Sequence, residues 1–322
     1  MSSAVFRHLT FPLLLGLAAP LAQAADPQAL LMRMQQAAGS LDYDGTFVFQ
    51  RGDQLESLRI VHKASAGVMR ERLVSLNGAP REIIRTGSEV RCYLPDENAV
   101  LIEHRRADSR NFPALLPDSL SALKKNYRIQ AGVVGRVAGR AAQSALITPR
   151  DAYRYGYHLW ADQATGLLLK ADLIDTHGKV IEQYMFTQVS IGKPIPESEL
   201  APQHPSKGIT VQRSAEAPAA STGLWVASQL PTGYALKRRM MRKLSARQQP
   251  VEHLVYSDGL AVVSVFIEPV DDAARGALLG RTHMGAVHAF GKVADGHQIT
   301  VLGEAPAMTV DLIGASVAPP AR

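Results

Sequence analysis

The sequence predicts a mainly antiparallel β protein with a few helices, in the α+β class. Three strand-like segments follow one another at 157–162, 167–174 and 179–186, and the two turns between them contain Gly166 and Gly178. Glycine supplies the positive φ that tight connections need. Turn signals at short intervals along the first 190 residues favour a meandering sheet with helices laid against it.

The middle segment of these three carries apolar residues on both faces. Leu169 and Leu173 alternate on one face, whereas Leu168 and Ile174 share the other face with polar residues. In a sheet with one face exposed to water, apolar and polar residues should alternate along each strand. Because both faces carry apolar residues here, the second apolar surface must be covered. Either the protein's own helices cover it, or the sheet is an open half-barrel whose concave side receives acyl chains.

Residues 1–24 are predicted to be a secretory signal peptide. An apolar run at 9–17 follows a short positive region, and Ala22-Gln-Ala24 fits a small-x-small cleavage site. Removing 24 of the 322 residues leaves 298, enough for two domains, and loss of Arg7 changes the formal charge from +6 to +5. The signal peptide indicates a periplasmic protein. Because Cys92 is the only cysteine, no intramolecular disulfide can form.

Composition divides the mature chain into two domains. We expect a large domain at 25–192, a linker rich in Pro, Ser and Ala at 193–222, a small α+β domain at 223–317 and a tail at 318–322. The alternative is a long loop packed on the first domain, in which 208–212 adds a short strand.

The first domain is expected to begin with a helix at 27–40 and to continue with strands. These strands are predicted at 45–50, 55–62, 68–76, 81–86, 90–94 and 99–103. Asn77-Gly78 between two of them is the strongest hairpin signal. A helix is predicted at 112–126, where leucines recur at helical spacing.

The second domain is expected to contain strands, hairpins and a closing helix. Its elements are predicted as strands at 224–227 and 234–244, a hairpin of 252–257 with 260–268, a short helix at 271–279, a hairpin of 285–293 with 298–303, and a helix at 307–316.

The sequence contains none of the short catalytic motifs that we sought. Gly-x-Ser-x-Gly, His-Glu-x-x-His, a phosphate-binding loop and paired-cysteine zinc spacing are all absent. His283 and His288 are five residues apart, a spacing that would place them on opposite faces of one strand. We therefore predict no enzyme, no metal site and no cofactor.

The segment 237–243 contains five cations and two methionines. One interpretation is a solvated edge strand whose charges oppose aggregation. The other is a docking strip for an acidic peptide or a lipid phosphate; nucleic acid is not expected, because the protein is exported. The candidate partner contacts are Trp225, Tyr234, Lys237, Arg238, Arg239, Arg242 and Lys243.

The first domain has a surplus of large apolar residues on its sheet and in the segment 112–126. A two-layer core explains many of them, and an acyl-binding surface is the alternative. The candidate acyl contacts are Phe47, Phe49, Leu116, Leu120, Leu123, Trp160, Leu169 and Met185.

Several segments resemble the RseB/MucB family of periplasmic negative regulators of an envelope-stress sigma factor. The resemblance extends over the mature chain in the family's order and is carried by Tyr43–Phe49, Leu159–Leu167, Gly178–Phe186, Pro250–Leu260 and Val263–Pro269. It implies an unclosed β-barrel of the LolA kind, covered by helices, and a smaller α+β domain after it.

The same resemblance implies a function. Family members bind the periplasmic region of a membrane-spanning anti-sigma factor of the MucA/RseA type and shield it from the site-1 protease. Lipid or lipopolysaccharide fragments weaken that binding. A periplasmic carrier of lipids or lipoproteins is the alternative, and formation of a homo-oligomer is left open.

Overall fold

The structure, a computed structural model, describes residues 26–65, 68–104, 112–117, 119–203, 210–213, 216–218, 225–242, 250–270 and 278–319. The predicted signal peptide, Lys243 and most of the helix expected at 271–279 lie outside these ranges.

The described residues form three α-helices: α1 Pro27–Ser40, α2 Leu123–Asn126 and α3 Ala307–Ser316. Asp26 caps α1, because its carboxylate accepts a hydrogen bond of 3.0 Å from the backbone N–H of Gln28. The predicted bounds of α1 and α3 are confirmed. In the described part of the chain, no helix has the length and apolar character that crossing a bilayer requires.

Twelve strands form the large sheet of the first domain. They are β1 Tyr43–Arg51, β2 Gln54–Ser65, β3 Val68–Ser75, β4 Glu82–Thr86, β5 Glu89–Leu94, β6 Ala99–His104, β7 Tyr127–Val137, β8 Arg140–Pro149, β9 Gly156–Asp162, β10 Leu168–Ile174, β11 Val180–Ile191 and β12 Thr210–Arg213. Their spatial order is β12-β6-β5-β4-β3-β2-β1-β11-β10-β9-β8-β7. Among the described strands of this sheet, only β12 is parallel to its neighbour. The described edge strands β12 and β7 do not pair with each other, so the unclosed sheet is confirmed.

Seven strands form the sheet of the second domain, and α3 packs on it. The strands are β13 Glu216–Pro218, β15 Ala235–Arg242, β16 Val251–Ser257, β17 Val262–Pro269, β18 Gly280–Met284, β19 Val287–Ala294 and β20 His297–Glu304. Their order is β13-β15-β16-β17-β20-β19-β18. Two short strands, β14 Val226–Ala227 and β21 Val317–Ala318, pair separately.

The helix expected at 112–126 is wrong for most of its length. Among the described residues of this range, only Leu123–Asn126 is helical. Pro113 and Pro117 have no backbone N–H to donate within a helix, and the leucines pack on the sheet from an irregular backbone instead.

Five of the described strands were not predicted: β7, β8, β13, β18 and β21. The β7–β8 hairpin turns at Ala138 and Gly139, both of which have positive φ (48° and 77°). Alanine at such a position is uncommon, so Ala-Gly is a weaker turn signal than Asn-Gly.

The chain after β11 lies against the first sheet on the face opposite α1. Ile195 and Leu200 pack on Val61 of β2. Glu197 accepts a hydrogen bond of 2.7 Å from Arg70 of β3. The strand considered at 208–212 is present as β12, while β13 already belongs to the second sheet. Between β11 and β13, the described residues therefore pack on or pair with one of the two sheets.

Candidate functional site

The face of the first sheet on which α1 packs, here called the inner face, carries an aromatic patch. Phe47 pairs with Phe186, and Phe49 pairs with Tyr184, on the neighbouring strands β1 and β11. The rings of Phe49 and Tyr184 stack with centroids 4.4 Å apart. Because residues two apart on a strand point the same way, the four rings form one continuous apolar surface.

The segment that links β6 to β7 covers this patch. We call residues 112–117 and 119–126 the cover segment. The ring of Phe112 lies 5.1 Å from that of Phe47 and 5.0 Å from that of Phe186, and Phe112 is only 4% exposed. The inner face is thus occupied by the protein's own side chains. The leucines of the cover segment that pack on the same core are Leu115, Leu116, Leu120 and Leu123.

The eight candidate acyl contacts do not share one face. Phe47 and Phe49 belong to the aromatic patch, and Leu169 is buried in the core beneath α1. Met185, however, lies between two patch residues on β11, so strand alternation places it on the outer face, although it still packs against a residue of the same cluster. Trp160 lies on that outer face too, because both residues pair with Lys170.

One step further along β1 and β11, the inner face changes from aromatic to charged. The Nε of Arg51 donates to Oε1 of Glu182 at 2.6 Å, and the Glu182 side chain is 1% exposed. The guanidinium carbon of Arg51 lies 4.9 Å from the centre of the Phe49 ring. The second domain touches this row, since the backbone N–H of Ala286 donates to Glu182 at 3.3 Å. The aromatic patch and the domain interface are therefore adjacent.

A second carboxylate, from the other domain, lies near the pair of Arg51 and Glu182. Glu304, on β20, accepts a hydrogen bond of 3.5 Å from the hydroxyl of Tyr157 on β9. Burial, and secondly the charge of Glu182, raise the pKa of Glu304 to about 7. The charge at this part of the interface consequently changes near neutral pH.

Another part of the interface contains a buried ion pair. Nη1 of Arg154 donates to Oδ2 of Asp258 at 2.6 Å, and neither side chain is exposed. The hydroxyl of Tyr127 donates to the same oxygen at 2.9 Å, and Nη2 of Arg154 donates to the carbonyl of Thr232 at 2.6 Å. Burial, followed by the charge of Asp258, raises the pKa of Tyr127. This phenol therefore remains a neutral donor at physiological pH.

The end of the cover segment touches the second domain as well. Leu123 and Leu260 belong to one hydrophobic cluster. A Cβ added at Gly259 would lie 3.5 Å from Leu123, and one added at Gly233 would lie 2.6 Å from Cγ of Asn126. The cover segment thus contacts both the aromatic patch and the turns of the second domain.

Two arginines of the predicted basic strip are already engaged. Nη1 of Arg239 lies 2.5 Å from Glu252, and its Nη2 donates to the carbonyl of Trp225 at 2.7 Å. Arg242 lies 3.6 Å from Glu103, which belongs to β6 of the first domain. β13 pairs with Met240, Met241 and Arg242, so β15 is not an edge strand at that end; the described part of β13 does not reach Lys237.

The other candidate partner contacts differ in exposure. Trp225 and Tyr234 are each 6% exposed and belong to the second core. The hydroxyl of Tyr234 donates to the carbonyl of Tyr153 at 3.3 Å, across the domain interface. Lys237 is exposed and Arg238 is half-buried. Lys243 lies outside the described residues.

Sequence reasoning missed the residues of the domain interface. Arg51, Arg154, Glu182, Asp258 and Glu304 come from five separate segments of the chain. Asp258 falls in the turn of the hairpin predicted from 252–257 and 260–268, and no spacing signals its partner 104 positions away. A buried pair of this kind becomes visible only when the fold brings distant segments together.

Neither reactive thiol chemistry nor a multidentate metal centre is indicated. Cys92 is half-buried, and burial raises the pKa of its thiol. Among the residues that the structure describes, no group of three or more His, Cys, Asp or Glu side chains has the arrangement needed to hold a metal ion.

Comparison with known proteins agrees with the two-domain architecture. The MucB/RseB N-terminal domain family matches residues 26–204, and the MucB/RseB C-terminal domain family matches residues 219–318. The chain is 35% identical to the sigma factor AlgU regulatory protein MucB of Pseudomonas aeruginosa over 324 residues, covering 98% of each protein. It is 28% identical to the sigma-E factor regulatory protein RseB of Escherichia coli K12 over 293 residues, covering 90% of this chain and 89% of that protein.

Solved structures give the same result. The structure of MucB in complex with MucA(peri) matches with a TM-score of 0.71 and 30% identity, over 92% of this chain and all (100%) of that one. The complex of Pseudomonas aeruginosa MucA and MucB matches with a TM-score of 0.71 and 33% identity, with the same coverage of 92% and 100%. The chain therefore belongs to the MucB/RseB family.

Proposed function

We propose that this chain is a periplasmic negative regulator of an envelope-stress sigma factor. It binds the periplasmic region of a membrane-spanning anti-sigma factor of the MucA/RseA type and shields that region from the site-1 protease. The observation that carries the proposal is similarity over 92% of the chain to MucB in its complex with MucA(peri). The role is one of binding and release rather than catalysis, and the division into 25–192, 193–222 and 223–317 is part of the proposal.

We also propose that an acyl chain of a lipid or lipopolysaccharide fragment binds the aromatic patch in place of the cover segment. The support is chemical, because Phe112 fills a site lined by the rings of Phe47 and Phe186. Each CH₂ group that an acyl chain buries there contributes about 0.8 kcal/mol. An acyl chain can therefore compete with the apolar side chains that it displaces.

Displacement of the cover segment would disturb its contacts with the second domain. Leu123 and Asn126 lie against Gly259 and Gly233. A lipid can weaken partner binding only if it prefers an arrangement that the partner disfavours. A preference of ~1–3 kcal/mol changes partner affinity by about 5- to 150-fold.

For the anti-sigma segment, we propose contacts centred on Lys237. Lys237 is exposed, whereas Arg239 is held by Glu252 and Arg242 lies beside Glu103. In this proposal Arg239 and Arg242 position the strand, and Lys237 contacts an acidic group of the partner.

The test is a protease-protection assay on the periplasmic segment of the anti-sigma factor. The chain should protect the segment from the site-1 protease, and lipopolysaccharide should restore cleavage. Failure of the chain to slow cleavage would contradict the regulatory role. Transfer of lipid to acceptor vesicles without any protection would favour a carrier.

Matched variants separate the two faces of the first sheet. Leu116→Asn adds a polar group to the cover segment. Ile84→Asn makes a comparable change on the outer face, since Ile84 pairs with Arg72, which pairs with Val61; both parent residues are half-buried. We expect Leu116→Asn to change the lipid concentration at which protection is lost and Ile84→Asn to leave it unchanged. Equal responses would exclude the inner face as the lipid site.

A further inference from the structure

Two histidines face each other at the edge of the second sheet. β18 and β19 form a hairpin, and His283 pairs directly with His288. Their rings are 5.5 Å apart between centroids, with planes 25° apart. The expectation that they lie on opposite faces was wrong, because a turn at Gly285 and Ala286 places them on two antiparallel strands. Directly paired residues on such strands share one face.

The surroundings leave the imidazoles accessible. All five residues of β18 are exposed, and His288 is half-buried. Nearby, the Nε of Arg281 donates to Asp311 of α3 at 2.8 Å, which engages that carboxylate.

We propose that His283 and His288 together bind a divalent transition-metal ion. Directly paired residues on antiparallel strands have Cβ atoms about 4.5–5.5 Å apart, which allows two imidazole nitrogens to converge on an ion at about 2.0–2.1 Å. Because no third metal-ligating side chain joins them among the described residues, water completes the coordination. Imidazole ligands select Cu²⁺, Ni²⁺ and Zn²⁺ over Mg²⁺ and Ca²⁺, and Cu²⁺ should bind most tightly.

The hairpin that carries this pair also contacts the first domain. Its turn residue Ala286 donates to Glu182, and a Cβ at Gly285 would lie 2.5 Å from Cδ of Arg51. A metal ion held by both strands restrains the hairpin immediately beside this contact. Metal binding should therefore slow local opening of the hairpin.

Isothermal titration of the untagged mature protein with Cu²⁺ tests the site. We expect His283→Gln and His288→Gln each to weaken Cu²⁺ binding at least tenfold. The control is His177→Gln, which replaces a single exposed histidine in the β10–β11 turn; its Cu²⁺ affinity should stay within twofold of the parent. Electron paramagnetic resonance of the Cu²⁺ complex should show two nitrogen ligands in the parent protein and one in either variant.

Hydrogen exchange provides a further test. Cu²⁺ should slow hydrogen exchange of the β18–β19 amides in the parent and leave it unchanged in the variants. Because the substituted histidines lie at an exposed edge of the sheet, we expect both variants to fold, and thermal unfolding checks this. Undiminished Cu²⁺ binding by folded His283→Gln and His288→Gln would overturn the proposal.

Discussion

Arg154 and Asp258 form an ion pair of 2.6 Å between the two domains, and neither side chain is exposed. Burial of two charges is unfavourable unless hydrogen bonds satisfy them. Here Asp258 accepts from Tyr127 and from the backbone N–H groups of Leu260 and Ala261. The buried charges of this interface are therefore satisfied by hydrogen bonds, as buried polar groups in a domain core are.

Replacing Arg154 by Met should strongly destabilise the protein. The variant leaves the carboxylate of Asp258 buried without its countercharge, so the free energy of unfolding should fall by about 3 kcal/mol or more. Urea denaturation measures this. Arg281→Met is the control, because its pair with Asp311 is exposed on the arginine side (70%) and should contribute less than ~1 kcal/mol. Equal losses in both variants would contradict the assignment.

Gly233→Ala should disturb the contact between the cover segment and the second domain. Gly233 has φ +87°, and a Cβ there would collide with the side chain of Asn126. Gly78→Ala is the control, since its φ of +70° is similarly strained but its Cβ would meet open space. We expect a larger loss of stability for Gly233→Ala, by about 1 kcal/mol or more.

A double variant isolates the cause of that loss. Adding Asn126→Ala removes the side chain that the new Cβ meets, so the combined effect of the two changes should be smaller than their sum. Strict additivity in the urea experiment would show that backbone strain alone explains the result.

Glu304 should make stability depend on pH. Its pKa rises from 4.5 to about 7 in the folded protein, with burial as the main cause. The folded state then binds more protons than the unfolded state between these two values, so stability falls as the pH rises through this window. The full effect is on the order of 3 kcal/mol.

Glu304→Gln should abolish this component. Relative to the parent, the variant should gain stability as the pH is raised from 4.5 to 8, as measured by urea denaturation at each pH. Glu97→Gln, at an exposed position, serves as the control and should keep the parent's pH profile. An unchanged profile in Glu304→Gln would show that this carboxyl does not titrate in the window.

Charge reversal on β15 should separate partner contact from support of the strand. Lys237→Glu should weaken binding of the anti-sigma segment about tenfold, without a change in unfolding free energy. Arg239→Glu should lower both, because Arg239 holds Glu252 and the Trp225 carbonyl. Calorimetry of binding and urea denaturation distinguish the two, and unaltered affinity in Lys237→Glu would remove this residue from the site.

Local signals in the sequence were sufficient for much of the fold. Asn77-Gly78 lies between paired strands, as predicted, and the predicted hairpin of 285–293 with 298–303 is present as β19 and β20. The helix at 307–316 has its predicted bounds. In each case, turn chemistry or periodicity acts within a few residues, and tertiary contacts agree with it.

Predictions failed where tertiary contacts decide the structure. The leucines of 112–126 have helical spacing, but the two prolines and the aromatic patch favour an irregular segment. His283 and His288 were assigned to one strand because the turn between them was not recognised. The ion pair of Arg154 and Asp258 joins positions 104 residues apart, and nothing local indicates such a partner. For the same reason, the placement of the acyl and partner contacts remains a prediction.

The positions of β12 and β13 limit the relative movement of the two domains. β12 ends at Arg213 in one sheet, and β13 begins at Glu216 in the other. Three residue steps span at most ~11 Å, so these strand ends must stay close while both strands remain paired. The connection therefore limits how far the two sheets can separate at this point while both strands stay paired.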